Sequence, residues 1–179
     1  MKIKEILEPR GGFDEKTETV ESLGALMRGT LQPEWLEANY PTKNLQTVVE
    51  TVFARLDGRS GTLGYHLAQS MGGGKTHTLL CLGLLAANPR LLGLYFPGIK
   101  IANETPAKVI CIDGRERHPN GIWGTIADGL GKKAALNQFY SPLGAPGPQD
   151  WRELLAGERV IILADEMPYY LDGALATQL

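Results

Sequence analysis

The 179-residue sequence is short of several things, and each shortage excludes a class of function. It has no excess of charge. Eighteen Lys and Arg stand against 20 Asp and Glu, a formal net charge of -2 at pH 7. That balance provides no basic surface for non-specific binding to nucleic acid or to an anionic membrane. Cysteine is almost absent. Cys81 and Cys111 lie in separate apolar runs, Leu79–Ala87 and Val109–Ile112, without C-x-x-C spacing. Such a pair reads as buried thiols in a reducing compartment, with no disulfide framework. No long hydrophobic run occurs either. The longest is cut at Asn88-Pro89, well short of the roughly 20 residues that a bilayer demands. Met1–Glu8 mixes both charge signs and has no apolar core, so no secretory signal is expected and the chain reads as cytoplasmic. There is no internal repeat, no low-complexity tract, no metal-ligand cluster and no nucleophile triad.

What is present is a chain of alternating helix and strand patterns. Residues 1–12 read as a lead-in broken by Pro9, Gly11 and Gly12, and Val20, Leu23 and Met27 suggest a short helix. After a possible N-cap at Thr42, Leu45, Val48, Val49, Val52, Phe53 and Leu56 follow at the spacing of one helix face, and Asp57-Gly58 closes the pattern. Leu63, Tyr65 and Leu67 alternate as in a strand and lead into a glycine triplet. The run from Thr76 to Ala87 is apolar nearly all round, as in a helix buried against a sheet. Ala107–Ile112 and Val160–Ala164 read as buried parallel strands. A short helix is expected over Ile122–Leu130, and the Gly- and Pro-rich segment Lys132–Gln149 reads as a surface excursion. Tyr169, Tyr170 and Leu171 are expected to begin a helix and pack inward. Trp35, Trp123 and Trp151 read as core or interface residues. The order strand, helix, strand, helix, strand predicts an α/β fold with a mostly parallel sheet, whose ligand site lies beyond the carboxyl ends of the strands.

Two motifs fall at that edge. The first is Gln69-Ser70-Met71-Gly72-Gly73-Gly74-Lys75-Thr76-His77. A triphosphate is a dense polyanion, and consecutive glycines let the backbone wrap it with N–H groups turned inward. The helix that follows adds unpaired N–H groups and the positive end of its dipole. Lys75 is placed to reach the β- and γ-phosphates, and the Thr76 hydroxyl to bind Mg²⁺. Gln69 stands where the general phosphate-loop pattern has a glycine, a departure that leaves the glycine nest intact. The blander reading of this stretch is a flexible turn with an incidental lysine. A preceding strand and a following apolar helix argue against it.

The second motif is Asp165-Glu166, delivered by the strand before it. Alone, an acidic pair after a strand is more often a helix cap or a solvated loop. Downstream of a phosphate loop, Asp165 suits the Mg²⁺ shell and Glu166 suits the attacking water. His77 lies close enough to the phosphates to be a binding candidate, although packing or capping is the commoner role for a histidine in a helix's first turn. His66 reads as structural. Asp113 and Arg115, just past a strand end, are candidates for touching nucleotide or a partner.

Pro41–Leu45, the helix after it, Gln69–His77, Trp123–Ala127 and Leu163–Glu166 with Tyr170-Leu171 occur in that order. From about Phe13 onward they resemble the large prokaryotic P-loop, AAA-like ATPases of phage-defence islands, including the PglY-like ATPases of BREX-type systems. The resemblance implies an ATP-binding and ATP-hydrolysing subunit, with Lys75 and Thr76 as phosphate and magnesium residues and Asp165 and Glu166 as the Walker B pair. It also implies ATP and Mg²⁺ as ligands, other subunits of a defence complex as partners, and DNA reached through partners or further regions. An oligomer is compatible with it. In such ATPases a further strand lies between the Walker A and Walker B strands, so the chain reads as a core truncated after Walker B. On this view residues 1–58 form a helical lead-in packed on a partial ATPase core at 59–179. ATP over GTP rests on this resemblance, as no guanine-reading N-K-x-D motif occurs. Two other readings stand beside hydrolysis: a nucleotide-dependent scaffold or switch without productive turnover, and an inactive fragment.

Overall fold

The computed structural model describes residues 21–61, 64–68, 72, 74–139 and 144–176, apart from the side chains of residues 38 and 174–176. The helices are α1 (Leu23–Met27), α2 (Lys43–Leu56), α3 (Lys75–Ala87), α4 (Leu91–Tyr95), α5 (Gly121–Gly129), α6 (Pro148–Leu155) and α7 (Met167–Ala176). The strands are β1 (Lys108–Asp113) and β2 (Val160–Asp165). The strands pair in parallel, from Lys108 opposite Val160 to Asp113 opposite Asp165. Parallel pairing requires a crossover, and α5 and α6 lie in it.

Side chains alternate along each strand, so the two strands feed two separate cores. Cys111 and Leu163, with Val109 and Ile161 beside them, pack against residues of α1, α2 and α3. Ile110 and Ile112, with Val160 and Ile162, pack against Ile126, Ala127 and Leu130 at α5 and against Leu136 and Leu154. The sheet's two faces are therefore covered by different parts of the chain, as the near-continuous apolar strands require. Both cysteines are buried free thiols. Burial pushes their pKa values up, Cys81 to about 12 and Cys111 to about 11, so neither is a ready nucleophile.

Helix α2 starts where its sequence says. Thr42 caps it, with its hydroxyl accepting the Leu45 N–H at 3.2 Å, and Leu45, Val49, Val52 and Phe53 are buried. Its other end is tied to β2. Arg159, just before β2, donates to the Leu56 carbonyl, to Asp57 and to the Asn103 carbonyl. Asp57 also accepts from Arg59 and from the Ala102 N–H.

Five expectations need correction. Residues 64–68 form no strand, although Tyr65 and Leu67 carry the alternating pattern; Leu63 lies outside the described residues. A ladder needs a neighbour, and an open groove of about 740 Å³ separates Gly64–Leu67 from β2, bounded also by Val48, Val52 and Leu79. For the same reason β2 is only half-buried, with Leu163 as its one buried residue. The segment 132–149 is not wholly superficial, because Leu136 is 1% exposed within the second core. Tyr169 and Leu171 lie in α7 as expected but do not pack inward, being 63% and 54% exposed. His66 is likewise exposed.

Candidate phosphate and metal site

Helix α3 begins without a side-chain cap. Its N-cap is Gly74, in the left-handed conformation at φ 75° and ψ 23°. Gly72 is also left-handed, at φ 78°. A side chain would be strained at either position, so glycine is required by the backbone itself. The Gly74 carbonyl opens the helix by accepting the Thr78 N–H and hydroxyl at 2.9 and 3.0 Å. No acidic residue belongs to the first turn of α3, where the positive end of the helix dipole falls. Gln69, Ser70, Met71 and Gly73 lie outside the described residues.

Lys75 and Thr76 form the first turn, and both are half-buried. The Thr76 hydroxyl donates to Asp165 Oδ2 at 2.5 Å, joining positions 89 residues apart. Asp165 closes β2, and its other oxygen accepts the Glu166 N–H at 3.0 Å. Glu166 is the one non-glycine among the described residues with positive φ, at 52°. Such strain is uncommon outside glycine and clusters at functional sites. Here it turns the chain out of β2 and into α7. The turn is braced by Gly114, whose N–H donates to the Asp165 carbonyl at 2.9 Å. A Cβ on Gly114 would lie 2.1 Å from the Glu166 carbonyl oxygen, so only glycine permits this approach.

His77 turns away from a purely polar role. It lies half-buried against Trp35, with ring centroids 4.6 Å apart, and burial lowers its pKa. Trp123 and Trp151 stack edge-to-face at 5.8 Å beside the second core.

A hydroxyl and a carboxylate brought together are hard oxygen donors, the chemistry that suits Mg²⁺. Among the described residues no group of three or more His, Cys, Asp or Glu side chains gathers to hold a metal. Mg²⁺ does not need one, since it is commonly held by one or two protein oxygens together with substrate phosphates and water. The residues therefore fit a metal that arrives with a phosphate ligand. Thr76 and Asp165 are the ones that would hold it.

The sequence pattern did not anticipate the knot at the end of β1. Asp113 is buried at 6% exposure, and Arg115 grips its carboxylate through Nε at 3.0 Å and Nη2 at 2.8 Å. His118 bridges the Asp113 carbonyl and the Thr125 hydroxyl, at 2.9 Å each. The usable signal was an acid and a base two apart around a glycine at a strand end. Among the described residues no helix is long and apolar enough to cross a membrane. No protein-family model, curated protein or solved structure matches the chain. Sequence pattern and geometry therefore carry the functional reading.

Proposed function

We propose that this chain binds ATP with Mg²⁺ and hydrolyses it, as the P-loop nucleotide module of a prokaryotic phage-defence ATPase. One observation carries the nucleotide reading. The hydroxyl that follows the glycine-lysine motif meets the carboxylate at the end of β2, 2.5 Å apart. Two motifs singled out separately in the sequence thus converge on one point at the carboxyl edge of a parallel sheet. A flexible turn with an incidental lysine gives no reason for that convergence.

Each residue then has a distinct task. The bound nucleotide supplies the electrophilic terminal phosphoryl group. The backbone N–H groups at the start of α3 hold phosphate oxygens, and the Lys75 ammonium neutralises charge there. Thr76 and Asp165 supply oxygens for the metal shell. Glu166 orients a water and takes its proton as the water oxygen bonds to phosphorus and the bond to the departing diphosphate breaks. The defence setting and its partner subunits rest on the sequence resemblance alone.

Titration calorimetry of the 179-residue chain with Mg-ATP tests this reading, with Lys75→Ala as control. Saturable binding that disappears in the Lys75→Ala chain is expected. A folded chain that takes up no Mg-ATP, or a Lys75→Ala chain that binds as well as the wild type, overturns it.

A further inference from the structure

The three tryptophans are placed differently. Trp123 and Trp151 pair with each other beside the second core, and Trp123 spends its indole N–H on the Gly144 carbonyl at 2.8 Å. Trp35 is only partly buried, against the first core. Among the described residues nothing accepts from its indole N–H. The ring it meets is that of His77, in the first turn of α3. An indole with one side on a core and its polar edge open suits a contact that is apolar at one end and wet at the other.

The segment that carries Trp35 is held from several sides. It is a short 3-10 helix, Pro33–Ala38, and Leu36 anchors it in the first core. Asn39 Nδ2 donates to the Trp35 carbonyl, and the Tyr95 hydroxyl of α4 reaches Glu37 at 3.5 Å. The indole is therefore positioned before any ligand arrives, so little ordering is lost on binding against it.

Direct contact joins Trp35 to the phosphate site. Thr76 points to β2, where its hydroxyl meets Asp165. His77 comes next on the helix and is turned about 100° from it, so its ring faces Trp35, with centroids 4.6 Å apart. The His77 backbone N–H precedes the first intrahelical bond, which Thr78 makes to Gly74. One residue thus has its N–H at the phosphate end of the helix and its ring against the indole. The start of α3 has a metal side and an aromatic side. A triphosphate whose metal-bound end lies at Thr76 and Asp165 leaves its nucleoside to the other side, and only a ribose separates the base from the first phosphate. Burial lowers the pKa of His77, so at neutral pH the two rings present π surface without charge. We propose that Trp35 is the stacking platform for the nucleobase. This rests on the nucleotide reading above and assigns base binding to a residue outside both motifs. Every base has a π face, so the ring sets affinity and leaves the choice of base open.

The test sets Mg-ATP against Mg-tripolyphosphate, which keeps the phosphate chain and has no base, by titration calorimetry on the full chain. Trp35→Leu keeps apolar bulk against the core and removes the π face. It is expected to weaken Mg-ATP binding by roughly 5- to 100-fold, the usual worth of a base stacked on an aromatic ring, and to leave Mg-tripolyphosphate binding unchanged. Trp35→Phe is expected to recover most of the loss. A folded Trp35→Leu chain that binds Mg-ATP as the wild type does overturns the inference and leaves the nucleotide reading intact. Equal weakening of both ligands does the same, since the indole then only supports the phosphate site. Should Trp35→Leu not fold, indole fluorescence decides, read in a chain carrying Trp123→Phe and Trp151→Phe. Mg-ATP is expected to quench it and Mg-tripolyphosphate to leave it unchanged, and equal responses overturn the inference. A folded wild-type chain that binds neither ligand overturns both readings.

Discussion

Helices α2 and α3 begin in opposite ways. Helix α2 begins at Thr42, extended at φ -61° and ψ 157°, whose hydroxyl takes up the Leu45 N–H. Helix α3 begins at Gly74, left-handed and without any side chain to offer. The contrast follows from where each helix gets its stability. Helix α2 buries one face, so about half its surface meets water and a cap contributes appreciably to holding it. Helix α3 is buried from Leu80 through Ala86. At roughly 25 cal/mol per Å² of apolar surface removed from water, those side chains outweigh any cap. A helix held so firmly along its length can leave its first N–H groups for a ligand. The closed start is a device of folding, and on the proposed function the open start is one of binding.

Substitution at the open start breaks this comparison most sharply when it separates binding from chemistry. Glu166→Gln removes the proposed general base and leaves the α3 terminus untouched. Hydrolysis is expected to fall by about 10²- to 10⁴-fold, with Mg-ATP affinity kept. Phosphate release and calorimetry on the same preparation check both halves. A variant that hydrolyses at the wild-type rate removes Glu166 from the mechanism. A wild-type chain that binds but never turns over favours the switch reading instead. Next in size is Gly74→Asp, which makes the open start resemble the closed one. Aspartate tolerates left-handed backbone better than most residues, and its carboxylate would occupy the N–H groups that phosphate needs. Mg-ATP affinity is expected to drop by roughly tenfold or more, since the variant substitutes an anion for the ligand. The left-handed backbone at Gly74 is expected to lower the melting temperature as well, so affinity is read on the folded fraction. Unchanged affinity would show that the N–H groups of α3 do not bind phosphate.

The sequence showed these helices and both strands almost to the residue, because each rests on a local signal: the apolar periodicity of α2, the cap at Thr42, the β-branched runs of β1 and β2. It named Lys75, Thr76, Asp165 and Glu166 as candidates, and it could not show that Thr76 and Asp165 touch. That contact depends on how the chain between two positions 89 residues apart folds. The strand pattern at Tyr65 and Leu67 misled for a related reason. Alternation records which side chains face a core, whereas a ladder is a property of two segments, and the groove beside β2 leaves this one unpaired. Tyr169 and Leu171 failed likewise, since apolar character is necessary for burial and does not supply a neighbour. The Asp113–Arg115 pair was legible only as a position at a strand end. Its two-pronged geometry belongs to the three-dimensional structure.

The smallest expected effect sharpens the comparison from the closed side. Thr42→Ala deletes the hydroxyl that accepts the Leu45 N–H and leaves the apolar face of α2 in place. Loss of an N-cap of this kind costs about 1 kcal/mol. It should appear as a lower urea midpoint at unchanged slope, because the surface exposed on unfolding does not change. Mg-ATP affinity should stay at the wild-type value, since Thr42 caps a helix that contributes no residue to the Thr76–Asp165 contact. The two helices nonetheless share one core. A Thr42→Ala chain that loses nucleotide affinity without loss of stability would therefore show that α2 helps to set the start of α3. The division between a folding terminus and a binding terminus would then fail.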